Sequence, residues 1–560
     1  MKCCDYEANT GGSVQKSSLP WWRTVIGYEI FPRSFADSNG DGIGDIAGIT
    51  SKLDYLSELG VEALWLTPFY PSPQKDAGYD ISDYCNIAAE LGTLADFDEL
   101  LAQAHTRNIK IIIDIVPNHS STEHPWFKAA LSSPAGSAAR ERYIFRDGKG
   151  EHGDLPPNNW ESLFGGPAWQ RVPGDKQWYM TLFSPYQPDY NWNNPEVHQE
   201  FQRILRFWLD RGVDGLRIDA ANSMVKQEGL PDTTVPTTLT PLVGPMWDQD
   251  GVHDIYREWR KLLDEYDDRA FIAEAWGVPT MERLKHYVRA DEMQQCFNFD
   301  YMLTEWDALA YKKTIQTTLQ GMQSVGAPST WVTCNHDQLR IASRLGLTQP
   351  GSLPLGIDKF HEQPNEALGL RRARALVMMT LILPGATYFF QGEELGLPDH
   401  TTIEDCYRQD PRFFATKGAT IGRDGCRVPL PWKANAPAFG FGTSNKTWLP
   451  QPSKFKRYAV DAEQKDKHST LALYRQLLSL RKAHKLGEGN LEWFTSPRSD
   501  VLLCRNGTIA LVINFGYEPV ELPNGQIIAQ SQPELGKRGT LPGNAAVWIA
   551  LDISTQGKTH

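Results

Sequence analysis

GLRIDAAN, residues 215–222, is a short β-prone run that breaks into polar residues at its end. On a strand, side chains two apart face the same way, so Arg217 and Asp219 look into one space from the end of this run. Working outward, the same form returns on both sides. KIIIDIV (110–116) lies upstream and AFIAEAW (270–276) downstream; VIGYEIFPRSF (25–35), ALWLTPF (63–69), QQCFNFD (294–300), STWVTCNHD (329–337) and ATYFFQGEE (386–394) complete a set of eight. Longer amphipathic stretches separate them. Strands alternating with helical patterns argue for parallel pairing through crossover helices. Eight such units predict an α/β chain folded as a (β/α)8 TIM barrel, whose active site gathers at the C-terminal ends of the strands.

The helices are legible as well. In TLADFDELLAQAHTRN, Leu94, Phe97, Leu100, Leu101 and Ala104 share one face, with Thr93 or Asp96 available as the starting cap. NPEVHQEFQRILRFWLDRG behaves likewise and ends at Gly212. Two segments break the repeat. Residues 120–194 are too long for an ordinary connection. They carry Trp160, Phe164, Trp169, Trp178, Tyr179, Phe183, Tyr186, Tyr190 and Trp192, flat faces that suit sugar stacking or plain packing. A second insertion, about 396–465, follows strand eight and contains RDGCRVPLPW. The expected layout is a loose tail over 1–20, a barrel over 21–119 and 195–485, a subdomain over 120–194, and a C-terminal antiparallel β-sandwich over 486–560. The last is read from EWFTSP, VLLCRNG, IALVINFG and AAVWIALDI, with no chemistry of its own.

A chain of 560 residues exceeds one ordinary core, which fits a large catalytic unit with satellites. The formal net charge of -12 turns away nucleic acid and anionic membrane, so a small neutral substrate is expected. No segment is apolar for long enough to span a bilayer. The start, MKCCDYEANTGGSVQKSSLP, lacks the apolar stretch of a secretory signal, so the expectation is a cytoplasmic protein, monomer or homodimer. Eight cysteines are scattered, with Cys3 and Cys4 the close pair, which matches neither a disulfide framework nor a zinc site.

Chemistry-bearing residues collect at the strand ends. Arg217 should keep Asp219 ionised, as a nucleophile requires. Glu274 stands in FIAEAW among Ala273, Ala275 and Trp276, and apolar neighbours raise a carboxyl pKa towards that of a proton donor. CNHDQLR brings His336 and Asp337 to the end of strand seven, and DIVPNHS brings Asp114, Asn118 and His119 to the end of strand three. Taken singly, each signal is weak: an Arg-x-Asp on a strand is usually a structural ion pair, a His-Asp pair is more often a cap or loop feature, and Glu274 also reads as a solvated strand end. One barrel mouth collecting all of them does not read as chance.

These motifs resemble those of the α-amylase superfamily, glycoside hydrolase family 13. DIVPNH, GLRIDAAN, AEAW and NHD look like that family's four sequence regions in order, and QPDYNW like its fifth, over a match from Trp21 to about Trp432. The resemblance implies Asp219 as nucleophile, Glu274 as general acid and base, and Asp337 as the carboxylate that stabilises the transition state. It also implies sugar contacts from His119, Arg217 and His336. YEIFPRSFADSNGDGIGD, AGYDISDY and RDGCRVPLPW look like the exo-acting α-glucosidase branch. In that branch Tyr79 and Asp80 of GYD, with Arg427 at the end of RDGCR, would close the pocket around the terminal sugar. The implied activity is a retaining α-glucosidase that acts on short, maltose-like α-glucosides and also transfers glucose. The rivals are a dedicated glucosyltransferase or sucrose- or maltose-converting enzyme and, more remotely, a non-catalytic sugar-binding relative.

DSNGDGIGD also reads as a cation loop, with Asp37, Asn39 and Asp41 at alternate positions, Gly42 for the turn, and Asp45 and the Ile43 carbonyl completing the shell. A structural calcium or magnesium ion is expected there, and no organic cofactor. Ala220 and Ala221 after the nucleophile, where α-1,6-preferring members carry a bulkier valine, point to α-1,4 bonds.

Overall fold

The computed structural model describes residues 19–236, 241–350, 355–496, 498–533 and 539–551. All but the end of the expected tail, with Cys3 and Cys4, lies outside them. The eight expected runs form one sheet of parallel strands: Ile26–Ile30, Ala63–Leu66, Lys110–Ile115, Gly215–Ile218, Ala270–Ala273, Gln295–Cys296, Thr330–Val332 and Ala386–Phe390. Each but the sixth pairs with the next, and the eighth pairs with the first, Ile26 opposite Thr387. A bridge between Asn298 and Trp331 joins strands six and seven and closes the barrel.

Two-residue alternation sorts the strand side chains. Ala63 and Trp65, Ile112, and Ala270 and Ile272 fill the barrel interior, while Leu64 and Leu66, Ile111 and Ile113, and Phe271 pack outward under the helices. Carried to the strand ends, the inward phase holds Asp114, Arg217, Asp219 and Glu274. Gly215 keeps that interior closed up, since a Cβ there would stand 2.9 Å from the Ile112 side chain.

The helix Leu94–Thr106 begins with a capping box in which Thr93 and Asp96 each hold the other's backbone amide. The helix Pro195–Asp210 is capped by Asn194, and Gly212 takes the left-handed conformation (φ 103°) that turns the chain into strand four. The first excursion builds a three-stranded sheet from Phe145–Asp147, Trp169–Arg171 and Gln177–Met180. The C-terminal strands form a five-stranded antiparallel sheet, with a further pair at Val520–Glu521 and Thr540–Leu541. That sheet seats on the helix Glu366–Ile382, where the Trp548 indole donates to the Met378 carbonyl at 3.0 Å. Among the described residues no helix is long and apolar enough to cross a membrane.

Candidate active site

Register brings the acids together. Asp114 lies opposite Arg217 across strands three and four, and Ile218 lies opposite Ala273, so Asp219 and Glu274 leave the sheet side by side. One guanidinium holds all three. Arg217 Nη1 is 2.6 Å from Asp219 Oδ1 and 3.0 Å from Asp114 Oδ1, while Nη2 is 3.0 Å from Glu274 Oε2. Trp65 and Tyr79 buttress it, their ring centroids 5.1 and 6.0 Å from the guanidinium carbon, and the Tyr79 hydroxyl donates to Asp114 at 2.8 Å. The Ala220 amide donates to Glu274 Oε2 at 2.8 Å.

Burial pushes both Asp219 and Glu274 up from the ordinary carboxyl range, and Arg217 opposes the shift at each. Asp337 is different. Burial works against its ionisation, but His336, Arg423, Arg427 and Arg412 outweigh it and hold the carboxyl well below its usual range. Arg427 and Arg423 reach Asp337 Oδ1 at 2.7 and 3.0 Å. His336 is driven well down by burial. Its Nδ1 is hydrogen-bonded to buried Glu29, its ring stacks on Tyr79 at 5.3 Å, and its Nε2 stands 3.4 Å from Asp337. His119, lowered to about 4 by burial, and Asp76 both lie 3.0 Å from the Gln187 amide nitrogen.

A cavity of about 310 Å3 opens at this rim. Of the sequence-predicted residues, Asp219, Glu274, Asp337, Tyr79 and His119 line it. Arg217, His336 and Arg427 stand behind the carboxylates, each no more than 1% exposed. Asp80 does not meet Arg427. Its carboxylate is consumed by its own loop, accepting from the Ser72 hydroxyl and from the Lys75 and Asp76 amides at 2.8–3.0 Å. The pair that does meet is Asp76 and Arg423, 2.7 Å apart, with Arg423 also held by Asp410 at 2.6 Å. The motif RDGCR offers arginines at both ends, and spacing alone could not say which one reaches across.

The aromatic segment divides by location. Trp160 and Trp169 pack inside the subdomain, and Tyr190 and Trp192 join the main core. Phe164 and Phe183 line the cavity with Leu163, and Leu242, Trp247 and Trp276 continue the wall. Sequence reading missed Asp76, Arg423, Trp247 and Glu29. An acid in the middle of an apolar strand was the available signal for Glu29. At the joint between barrel and subdomain, the buried Lys226 ammonium lies 2.9 Å from Asp189 and 2.8 Å from Asn118 Oδ1, and also bonds the Ser223 carbonyl.

The expected cation loop is closed on itself. Asp37 accepts from the Asn39, Gly40 and Gly42 amides, Asn39 and Asp41 from the Asp41 and Ile43 amides, and Asp45 caps the helix Ile46–Thr50 through Gly48. Among the described residues no group of three or more His, Cys, Asp or Glu converges as an ion site.

Comparison with known proteins gives the family. The family described as alpha amylase, catalytic domain, matches residues 29–489. An oligo-1,6-glucosidase of Parageobacillus thermoglucosidasius is 36% identical over 83% of this chain and 84% of its own. An alpha-glucosidase of Apis mellifera is 34% identical over 88% of this chain and 85% of its own. The crystal structure of the alpha-glucosyl transfer enzyme XgtA, 33% identical, superposes with a TM-score of 0.83 over 95% of this chain and all of its own. A parallel barrel with three acids at its rim, carried by a chain matched over most of its length, belongs to the α-amylase family of glycoside hydrolases.

Proposed function

We propose that the enzyme is a retaining α-glucosidase that releases glucose from the non-reducing end of short α-glucosides, with some transfer of glucose to other acceptors. The observation that carries this reading is Arg217 holding Asp219 and Glu274 at the wall of a cavity whose far end is shut by Asp76, Arg423 and Asp337. One guanidinium spanning both carboxylates supports the separation of a retaining pair, about 5 to 5.5 Å, rather than the wider gap of an inverting one. The shut end supports exo action.

Two buried carboxyls beside one cation titrate as a pair. The shorter contact to Arg217 favours the charge on Asp219 and leaves the proton with Glu274. Asp219 attacks the anomeric carbon while Glu274 protonates the departing oxygen. Glu274 then takes a proton from water as water displaces Asp219 and frees the glucose. Asp337, ionised between its arginines, offers a fixed negative charge to the cationic sugar in the transition state. His119, kept neutral, offers a hydrogen bond without adding charge.

A preference for α-1,4 bonds belongs to the same reading. Ala220 lines the cavity, and Ala221 lies fully buried behind it, donating to the Glu274 carbonyl at 2.8 Å. A larger side chain at Ala220 would narrow the cavity, an effect worth about 1 to 3 kcal/mol between substrates. Transfer is favoured by the apolar wall, which can hold an acceptor where water finds few partners. A calcium or magnesium ion at Asp37, Asn39, Asp41, Ile43 and Asp45 belongs to the same reading: the donor set is all oxygen, and an ion would have to share the side-chain oxygens with the loop amides they now accept from. Raising the melting temperature with added calcium after chelation would support it, and an unchanged temperature would remove it.

The test is a panel of maltose, isomaltose, sucrose, trehalose and maltotriose, followed by proton NMR. α-Glucose should appear first from maltose, and Asp219→Asn should lower the rate by about 10^4-fold or more. First release of β-glucose would overturn retention. Transferred glucose exceeding free glucose at ordinary substrate levels would make the enzyme a transferase.

A further inference from the structure

Among the described residues, the cavity lining contains one cation without an acid of its own. Arg412 follows Asp410 and Pro411 at the start of the helix Pro411–Ala415 and lines the cavity together with Arg423 and with Leu355, which is 51% exposed. Both arginines stand against the Phe164 ring, their guanidinium carbons 4.8 Å (Arg412) and 5.2 Å (Arg423) from its centroid. Their partners differ. Arg423 is bonded to Asp76, Asp337 and Asp410, whereas the Arg412 side chain has no hydrogen bond or ion pair to any described residue, and its buried Nε is unsatisfied.

The surrounding acids are accounted for by other cations. Asp219 and Glu274 are held by Arg217, and Asp337 by Arg423 and Arg427, while Asp76 and Asp410 are held by Arg423. Burial and the neighbouring Arg423 press the Arg412 pKa below the usual guanidinium range, against the pull of Asp410, Asp337 and Asp76, yet a guanidinium remains charged. A half-desolvated cation without an acid among the described residues gains most from a full negative charge, which a guanidinium grips through two parallel bonds. The wall beside it is flat and apolar. Phe164 meets Phe183 edge to face at 6.0 Å, and Phe183 meets Trp247 likewise at 6.2 Å.

Building on the α-glucosidase reading, we propose that Arg412 determines specificity on the leaving-group side and admits a second class of substrate, α-glucosides whose aglycone is a flat apolar ring carrying a carboxylate. The ring lies against the aromatic wall and the acid meets Arg412. The bond broken is the usual one: the phenol leaves with the proton of Glu274, and water supplies the hydroxyl of the released glucose.

The probes are 4-carboxyphenyl α-D-glucoside and its methyl ester, with maltose as reference, and the quantity read is the ratio of kcat/KM for the acid to that for the ester. Arg412→Leu should lower this ratio by about tenfold or more, the scale of a hydrogen bond to a charged group. Arg412→Lys should retain part of it. The inference is overturned if the ratio is the same in the enzyme and in Arg412→Leu. That holds whether both rates persist or both fall together, the latter being what a counterion to Asp410 would give. It is also overturned if maltose is cleaved and neither aryl glucoside is. If maltose, too, is left intact by the unaltered enzyme, the α-glucosidase reading itself fails, and this inference with it.

Discussion

Two regions of the cavity are built by opposite means. At the shut end every charge is matched: Arg217, Arg423 and Arg427 hold Asp114, Asp219, Glu274, Asp337, Asp76 and Asp410 within about one hydrogen-bond length. Around the rest of the cavity Leu163, Phe164, Phe183, Leu242, Trp247 and Trp276 make an apolar wall in which contacts are broad and undirected. The first region is carried chiefly by strand termini, with RDGCR and the loop around Asp76 completing it; the second comes almost wholly from long excursions between strands. In the proposed reaction a fixed polar array would serve the reacting sugar, whose charge develops at one place, and a soft wall would serve a leaving group that can vary.

The largest test of this contrast is at Glu274. Glu274→Gln should cut kcat on maltose by about 10^3-fold but cost far less on 4-nitrophenyl α-glucoside, whose leaving group needs no proton. Burial raises the Glu274 pKa, so the acid stays protonated above the ordinary range and the unaltered rate should fall as pH rises through the raised value. That basic limb should vanish in the variant. Equal losses on both substrates would deny Glu274 its role as acid.

Next comes the shut end itself. Arg423→Leu strands Asp76 and Asp410 in a buried setting, an effect of about 3 to 5 kcal/mol on stability, and kcat/KM should drop about a hundredfold or more. Asp76→Asn should act more gently and mainly through KM. If Asp76→Asn leaves KM for maltose untouched, the shut end does not hold the sugar. On the apolar wall, Phe183→Ala should raise KM for an aryl glucoside about two- to tenfold with little change in kcat. A collapse of kcat instead would mean that the wall also orders the chemistry.

The smallest effect separates Asp80 from Asp76. Burial lifts the Asp80 carboxyl to about 6. The folded chain therefore keeps this proton between about pH 4, the ordinary value, and about pH 6, so the stability Asp80 contributes is full at low pH and is lost as pH rises across that window. The melting-temperature deficit of Asp80→Asn should shrink over the same interval, and kcat/KM should move less than in Asp76→Asn. A pH-independent deficit would contradict the raised pKa.

Legibility in the sequence followed the same divide. All eight strands and the acids Asp219, Glu274 and Asp337 could be read because alternation and polar strand ends are local signals. Asp76 and Arg423, 347 residues apart, could not, because only the closed barrel brings their loops together. Asp80 was the tempting choice beside Tyr79, yet its carboxylate is spent on neighbouring amides. Phe164 and Phe183 were visible as aromatics, but nothing along the chain distinguished them from Trp160 and Trp169, which face inward.

Lys226 has a consequence for durability. The joint between subdomain and barrel is tied by an ammonium group, bound to Asn118 and Asp189, that is covalently part of the polypeptide. A positive charge of this kind cannot be leached by a chelator or diluted away. This tie beside the active site therefore needs no bound metal ion.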